Sequence, residues 1–336
     1  MRRLNKPYIT FAVPSYNSEP FLHVALESLR CFDDRIEVLV VNDGSTDKTA
    51  EVAETYAKKY PIIRLINQEN KGHGGAINTA LEQARGIYFK VLDSDDWVDP
   101  MVLKEVLSDL EKAEELSDIY LCDYSYWQQY EKVVTVVSFA KRLPQRKTIH
   151  LNEMKPLGMK ENFTLHSTMF KAEVLRASGV KLPEHCSYED NYMVYAGLVY
   201  SKTIRYLHQS LYQYQVGRKG QSMSKANLLG RYGQIILTTE LVFDFYDIMP
   251  LKESNPKLFH LLLHHLNLIV TMVPFCCHNQ GSKEARKAMK EFFSRVKEKN
   301  PAQLAEVMKQ PIARWMRYRP FAIIAYPITR HVVRIN

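Results

Sequence analysis

The sequence predicts an α/β fold in which a Rossmann-like sheet with helices on both faces is followed by a mainly helical region. Two observations predict it. Up to residue 110, short apolar runs typical of buried strands alternate with segments of helical periodicity. From residue 225 onward, apolar residues recur mostly at helical spacing. In open sheets of this kind the ligands lie beyond the carboxyl ends of the parallel strands.

Four strands and four helices are expected in the first part of the chain. The strands are expected at residues 8–13, 36–41, 62–66 and 88–92. The helices are expected at residues 19–30, 46–60, 75–84 and 101–110. Asp99 and Pro100 precede the last of these helices, a pair typical of an N-cap followed by proline at the first helical position.

The rest of the chain predicts a mixed segment and then helices. Strands are expected at residues 133–139 and 163–170, and helices at residues 171–178 and 191–200. Further helices are expected at residues 228–246, 257–273, 283–296 and 302–308. We therefore expect a catalytic domain at residues 1–224, with a nucleotide-binding part at about 1–117 and an acceptor part at about 118–224, and a helical region at 225–336.

The composition excludes several classes of protein. Hydrophobic residues make up 46% of the 336 residues and charged residues 24%, which is typical of a globular protein. The five cysteines include no CxxC pair, so we expect reduced thiols in the cytoplasm rather than a disulfide framework or a zinc site. The apolar stretch 258–277 contains three histidines and an asparagine, which predict a buried helix rather than a membrane span.

Three carboxylates follow the fourth expected strand. Asp93, Asp95 and Asp96 stand so close in sequence that they repel one another unless a cation neutralises them. Oxygen ligands at a strand end suit Mg²⁺ or Mn²⁺ carried by a diphosphate. Capping of the next helix explains Asp99 but neither Asp93 nor Asp95. The sequence therefore predicts a divalent metal site in this loop.

Two further loops carry candidate binding residues. Asp43 follows the second expected strand, where its carboxylate can accept hydrogen bonds from a nucleobase or a ribose hydroxyl. Ser45 or Thr46 is expected to cap the next helix. Residues 70–78 are glycine-rich, which permits close backbone approach, but their spacing fits neither GxGxxG nor a P-loop. A dinucleotide-binding fold is therefore disfavoured.

Glu189 and Asp190 are adjacent at the start of an expected helix. Such a pair can supply a general base. It can equally stabilise the helix as negative charge at its N-terminus, and the local sequence leaves both interpretations open. The histidines, among them His73 and His166, are expected to be structural or solvated.

Six motifs, in order, resemble the family 2 glycosyltransferases, which have the GT-A fold. The motifs are VPSYN at 13–17, VNDGSTD at 41–47, NKGHGGAIN at 70–78, DSDDW at 93–97, ED at 189–190, and YQY with the following R and QSMS at 212–224. The resemblance covers residues 8–224. Many relatives have arginine where this chain has Ile77, so either an arginine contact to the donor is missing or Lys71 replaces it.

The resemblance implies a role for each matching residue. The nucleotide-sugar donor is expected to contact Pro14, Tyr16, Asn17, Asp43, Lys71, Asp93, Arg218 and Ser224. Asp95, with Asp93, is expected to bind Mn²⁺ or Mg²⁺, and Asp190 is expected to be the general base. Glu189, Asp96 and Trp97 are expected to support the site or contact the acceptor.

The resemblance also implies the reaction. It is transfer of a sugar from a nucleotide-linked donor, UDP above all, to an acceptor hydroxyl with inversion, in the synthesis of cell-surface polysaccharide, teichoic acid or glycolipid. The acceptor is expected to be a saccharide, a polyol phosphate or a lipid-linked molecule. The alternatives are a nucleotidyltransferase, which predicts a basic glycine-rich loop after the first strand, and a non-catalytic binding module, which predicts loss of Asp95 or Asp190. The sequence shows neither feature.

The formal net charge of +8 is concentrated late in the chain. Residues 314–319 read RWMRYR, apolar residues follow, and Arg330 and Arg334 lie beyond them. Interleaved basic and aromatic residues suit an anionic membrane surface, which would place the protein at the inner face of the plasma membrane. A C-terminal helix packed on the domain with solvated arginines explains the pattern equally well. Nucleic-acid binding is disfavoured because no binding module accompanies the charge.

Overall fold

The computed structural model describes residues 6–30, 32–128, 134–158, 161–217, 221 and 224–324. By compactness the chain divides into two units. The first comprises Met1–Lys155, Phe163–Cys186 and Tyr200–Val216, and the second comprises Pro156–Asn162, Ser187–Val199 and Gly217–Asn336. The predicted boundary near residue 224 differs from this division, because Ser187–Val199, which contain most of one helix, are grouped with the later helices.

The first unit contains one sheet. Within the described residues its strands are β1 (Ile9–Ser15), β2 (Ile36–Asp43), β3 (Ile63–Gln68), β4 (Tyr88–Val91), β5 (Trp97–Val98), β6 (Ile119–Gln128), β7 (Val134–Val137), β8 (Thr148–His150), β9 (Thr168–Lys171) and β10 (Thr203–Val216). Its helices are α1 (Leu22–Leu29), α2 (Thr49–Lys59), α3 (Gly72–Gln83), α4 (Pro100–Lys112) and α5 (Ala172–Ser178).

The strand order places the loops that matter for function at one edge. The order is β3-β2-β1-β4-β9-β6-β10-β5, and the first four strands are parallel, as predicted. β9 is antiparallel to both β4 and β6, so β6 runs parallel to β4. β10 is parallel to β6 in turn. The carboxyl ends of β1, β2, β4, β6 and β10 therefore lie at the same edge.

The first four predicted strands and helices are confirmed, with shifted ends. All residues of β1 and β2 are buried, which explains their continuous apolar runs. Asp99 caps α4 as predicted, since its carboxylate accepts hydrogen bonds from the N–H groups of Met101 and Val102. The strand predicted at 163–170 is wrong for its first half: only Thr168–Lys171 pairs in the sheet, while the N–H groups of Ser167 and Thr168 donate to the Thr164 carbonyl in a turn.

The second unit is helical. Its helices are α6 (Asp190–Tyr200), α7 (Lys225–Gly230), α8 (Tyr232–Phe245), α9 (Leu251–Ser254), α10 (Pro256–Gln280), α11 (Lys283–Lys299), α12 (Pro301–Lys309) and α13 (Pro311–Met316). The single helix predicted at 228–246 is two helices that meet at Arg231. α6 packs in this unit, where the ring of Tyr195 stacks on His265 and the ring of Tyr192 meets Phe245.

Helix α10 is the core of the second unit. It is the one helix in the described part of the chain that is long and apolar enough to cross a membrane, but 72% of its most apolar window is buried inside the protein. The prediction of a buried helix is therefore confirmed. Cys122, Cys186, Cys276 and Cys277 are buried and form no disulfide within the described residues, and Cys31 lies outside them.

Candidate active site

An acidic cluster lies at the carboxyl end of β4. Asp96 is fully buried, and its carboxylate accepts hydrogen bonds from the hydroxyl of Tyr212 at 2.6 Å and from the N–H of Gln215 at 2.8 Å. The Tyr212 hydroxyl also lies 3.3 Å from Oδ2 of Asp93 and accepts from the Asp93 N–H at 3.2 Å. Strand β10 therefore fixes the shape of the loop that follows β4.

Two histidines complete the cluster. Nε2 of His73, in the first turn of α3, lies 2.9 Å from Oδ1 of Asp93. A ring nitrogen of His166, a carboxylate oxygen of Asp93 and a carboxylate oxygen of Asp96 all lie within 4.8 Å of one another. The His166 ring is held by stacking on Tyr214, with ring centroids 4.4 Å apart. Neither histidine was predicted as a site residue, because nothing local in the sequence distinguishes them.

The two aspartates of the cluster have opposite electrostatic properties. Burial, with the charge of Asp93 added, raises the pKa of Asp96 well above its usual value. Burial would raise the pKa of Asp93 as well, but opposing interactions, of which the hydrogen bond with His73 is the largest, lower it overall. Burial lowers the pKa of His166 to about 4, so its imidazole is neutral near pH 7 and can act as a metal ligand.

A buried lysine in β4 holds the turn that carries His166. The ammonium of Lys90 donates to the carbonyls of Leu165 and His166, both at 2.6 Å, and to that of Thr168 at 3.2 Å. Burial lowers the pKa of Lys90 to about 7. Its hydrogen bonds hold the turn that carries His166. A lysine inside the apolar run of β4 was the one sequence signal that could have pointed to this arrangement.

Asp93, Asp96 and His166 fit a divalent cation. Two carboxylates and an imidazole suit Mn²⁺, and two carboxylates alone suit Mg²⁺. Nδ1 of His166 is buried and has no hydrogen-bond partner among the described residues. The group differs from the predicted pair in that Asp96 and His166 join Asp93. Asp95 lies half-buried in the same loop, and its role as a metal ligand stays a prediction.

Asp43 ends β2, and one of its carboxylate oxygens has no hydrogen-bond partner among the described residues. Oδ1 accepts hydrogen bonds from the side-chain amide of Gln68 at 2.7 Å and from the N–H of Lys71 at 2.8 Å. Oδ2 is buried and has no partner among the described residues. Asn70 donates to the Asp43 carbonyl at 2.9 Å, which fixes the backbone as well. An oriented buried acceptor of this kind suits a hydroxyl or imide donor of a ligand.

The loops after β1, β2 and β4 are tied together. The side-chain oxygen of Asn17 accepts from the N–H of Thr46 at 2.9 Å, and the N–H of Asn17 donates to the Ser45 hydroxyl at 3.0 Å. The hydroxyls of Ser18 and Ser94 lie 2.7 Å apart. The prediction that Ser45 or Thr46 caps α2 is wrong, since α2 begins only at Thr49 and both residues bind Asn17.

Three further donor candidates, Pro14, Tyr16 and Lys71, lie at the same edge of the sheet. Pro14 is buried in β1, whereas Tyr16 beyond it is 54% exposed, as a residue available for stacking must be. Lys71 precedes α3, and its carbonyl accepts from the N–H of His185. Trp97 forms β5, pairs with Gln213 and packs its ring on Trp127 at 5.5 Å.

Glu189 and Asp190 belong to the second unit. Asp190 is the first residue of α6, and its Oδ1 accepts from the side-chain amide of Asn191 at 3.2 Å. Glu189 is buried, and its carbonyl accepts from the N–H groups of Tyr192 and Met193. Ser224 caps α7 with its hydroxyl, a role that was not predicted. Arg218 lies outside the described residues.

Known glycosyltransferases are similar to this chain. The family model of glycosyl transferase family 2 matches residues 10–172. The putative glycosyltransferase EpsH of Bacillus subtilis is 27% identical over 258 residues, which cover 75% of this chain and 71% of that protein. For two further relatives, the match covers only about a third of the relative's own length: 34% of the glycosyltransferase EpsJ of Bacillus subtilis and 31% of the glycosyltransferase GlyA of Streptococcus pneumoniae.

Two solved structures show the same fold. Residues 1–349 of S. aureus TarS, in complex with UDP-GlcNAc, match with a TM-score of 0.57 at 20% identity, over 87% of this chain and 91% of that one. The mannosyltransferase PcManGT from Pyrobaculum calidifontis, in complex with GDP-Man and Mn²⁺, matches with a TM-score of 0.54 at 16% identity, over 96% and 86%. The fold is thus of the GT-A class, and residues 10–172 match the family 2 glycosyltransferases.

Proposed function

We propose that this glycosyltransferase is inverting and metal-dependent and uses a UDP-linked sugar. One observation carries the proposal: the acidic cluster after β4 lies at the same sheet edge as Asp43 at the end of β2. One buried carboxylate oxygen of Asp43 has no hydrogen-bond partner among the described residues. Only β1 separates these strands, so their ends are roughly 10 Å apart. A nucleoside at Asp43 would reach the cluster with its diphosphate.

Residues of the first unit would hold the donor. Asp43 would accept a hydrogen bond from the nucleoside, and the exposed ring of Tyr16 would stack on the base. Asp93, Asp95, Asp96 and His166 are the candidates to hold Mn²⁺ or Mg²⁺, which when bound would stabilise the growing charge of the departing diphosphate. Lys71 and Arg218 would add positive charge, and Ser224 a hydroxyl, beside the diphosphate.

We assign the proton transfer to Asp190. As general base it would take the proton from the acceptor hydroxyl, whose oxygen then attacks the anomeric carbon as the bond to the diphosphate breaks. A single displacement of this kind inverts the anomeric configuration. Glu189, Asp96 and Trp97 would support the site or contact the acceptor. The assignment of Asp190 is supported by the ED motif at the start of α6 rather than by a distance to the cluster.

The relatives guide the choice of donor and acceptor. TarS is a poly(ribitol-phosphate) beta-N-acetylglucosaminyltransferase and is solved with UDP-GlcNAc. PcManGT is solved with GDP-Man and Mn²⁺. We propose a UDP-sugar donor and an acceptor from cell-surface polymer synthesis: a saccharide, a polyol phosphate or a lipid-linked molecule. Such an acceptor would place the enzyme in the cytoplasm, at the inner face of the plasma membrane.

A donor panel tests the proposal. Hydrolysis of UDP-Glc, UDP-GlcNAc, UDP-Gal and GDP-Man is measured with Mn²⁺, Mg²⁺ or EDTA. We expect one UDP-sugar to be cleaved only with metal, and Asp95→Asn to abolish cleavage. Asp99→Asn is the matched control, because it changes the same residue type four positions away and keeps an N-cap. Failure of every donor to bind or react with either metal would sink the proposal.

The general base is tested with an acceptor that the wild type uses. Asp190→Asn should lower transfer about 10²–10⁴-fold while donor affinity changes little. NMR of the product should show the anomeric configuration opposite to that of the donor. Normal transfer by Asp190→Asn, or a product with retained configuration, contradicts the assignment.

A further inference from the structure

The last described segment exposes its large apolar side chains and buries its small ones. In α13 and the residues that follow it, Ala313 and Ala322 are 1% and 0% exposed. Five large side chains of the same segment are 43–66% exposed: Trp315, Tyr318, Phe321, Ile323 and Ile324. A segment that packs only on its own protein shows the reverse, with its bulky apolar residues inside. We call these five residues, with Arg314, Arg317 and Arg319, the C-terminal patch.

The backbone of the patch is fixed to the second unit. Nε2 of His278, in the last turns of α10, lies 2.9 Å from the Arg317 carbonyl. The side-chain amide of Asn279 donates to the Ala322 carbonyl at 3.1 Å. The segment is therefore attached at two points, and the exposed side chains project from a defined surface.

The patch is compact and positively charged. The rings of Trp315 and Phe321 pack 4.7 Å apart, and the Arg314 guanidinium lies 5.5 Å from the Trp315 ring. The Arg317 guanidinium lies 5.9 Å from the ring of Tyr318. Residues 307–336 contain six lysines and arginines and no aspartate or glutamate. No acidic side chain of this segment can therefore neutralise the patch.

We infer that the C-terminal patch binds the surface of an anionic lipid bilayer. Aromatic rings and isoleucines would enter the headgroup region, and the arginines would bind lipid phosphates. A polyanion such as nucleic acid would use the arginines but leave Ile323 and Ile324 in water. A second copy of the patch would bring arginines against arginines. The inference needs neither the proposed donor nor the proposed base.

Vesicle binding by the full chain tests the inference. Sedimentation with vesicles of phosphatidylcholine, with and without phosphatidylglycerol, measures the partition coefficient. We expect binding only with phosphatidylglycerol. Each arginine near an anionic surface contributes about 1 kcal/mol, or about fivefold. The variant Arg314→Gln, Arg317→Gln, Arg319→Gln should therefore bind on the order of 100-fold more weakly.

Matched controls separate the patch from net charge and from hydrophobicity. Lys58→Gln, Lys287→Gln, Lys290→Gln removes the same charge from exposed sites elsewhere and should bind almost as the wild type does. Trp315→Ser with Phe321→Ser should weaken binding, whereas Leu237→Ser, at a residue that is 44% exposed, should not. Unchanged thermal melting and donor hydrolysis verify that each variant is folded.

Three results would overturn the inference. The first is equal binding to neutral and anionic vesicles. The second is equal loss in the arginine variant and the lysine control. The third is the absence of vesicle binding together with a dimer, seen by analytical ultracentrifugation, that the patch variants abolish, since the patch would then join two copies of the chain.

Discussion

Tyr212→Phe isolates the contribution of one hydroxyl to the acidic cluster. Tyr212 is fully buried, and its hydroxyl donates to Asp96 at 2.6 Å. Phenylalanine keeps the ring, which packs on His166 with centroids 4.8 Å apart, and removes only the oxygen. Asp96 would then keep one described donor, the N–H of Gln215. The Asp93 N–H would lose its acceptor at 3.2 Å.

The expected magnitude follows from these contacts. Removing one partner of a buried hydrogen bond, so that the other is left unsatisfied, lowers the free energy of unfolding by about 1–3 kcal/mol. For domains of similar size, 1 kcal/mol shifts Tm by about 2–4 °C, so Tm should fall by several degrees. Loss of an outer partner of a metal ligand weakens metal affinity or activity about 10–100-fold. The Mn²⁺ concentration that gives half-maximal donor hydrolysis should rise by that factor.

Tyr120→Phe is the matched control. Tyr120 is also fully buried, and its hydroxyl donates to a buried carboxylate, that of Asp109, at 2.8 Å. Asp109 keeps two hydrogen bonds from Arg205 and lies outside the metal cluster. Tm should fall in both variants, but the Mn²⁺ dependence should shift only in Tyr212→Phe. Identical Mn²⁺ curves for the two variants would refute the assignment of Asp96 and Asp93 to the metal site.

Two other predictions concern stability, and a third concerns metal binding. In urea titrations, Gly72→Ala should lower the free energy of unfolding by more than Gly179→Ala does. Both glycines have positive φ, but only a Cβ at residue 72 would lie 2.7 Å from a backbone nitrogen, that of His185. Equal losses of stability in the two variants would contradict this. Burial lowers the pKa of His265 to about 4, below its value of about 6.5 in the unfolded chain, so the unfolded state binds more protons between these values. The contribution of His265 to the free energy of unfolding, up to about 3 kcal/mol, is present above pH 6.5 and is lost as the pH falls to 4. In urea titrations at a series of pH values, the free energy of unfolding of His265→Gln should therefore fall less steeply with acid than that of the wild type. An unchanged slope would refute this. Lys90→Met should remove the donor to the carbonyls of the turn that carries His166 and so weaken Mn²⁺ binding. Calorimetry with UDP present measures the Mn²⁺ affinity. An affinity equal to that of the wild type would contradict the supporting role of Lys90.

Local patterns account for what was predicted correctly. Continuous apolar runs are required wherever a strand is covered on both faces, so β1, β2 and β4 could be read directly. The cap at Asp99 depends only on its neighbours Met101 and Val102. The positions of Asp43 and Asp93 at strand ends follow from the same alternation. In each case the determining interactions lie within a few residues or repeat at a fixed period.

The sequence by itself determined the class of the sheet, the loops at the carboxyl ends of its strands and the family that it resembles. Only the tertiary structure decided which groups meet there. Tyr212 reaches Asp96 from 116 residues away, and β9, antiparallel between β4 and β6, brings the turn of His166 to the same place. Ser45 is a residue type that commonly caps helices, but its hydroxyl instead accepts a hydrogen bond from the N–H of Asn17 in another loop. Contacts of this kind depend on strand order and register, which no local pattern encodes. The pKa values of the buried carboxylates are therefore set by partners that are distant in sequence.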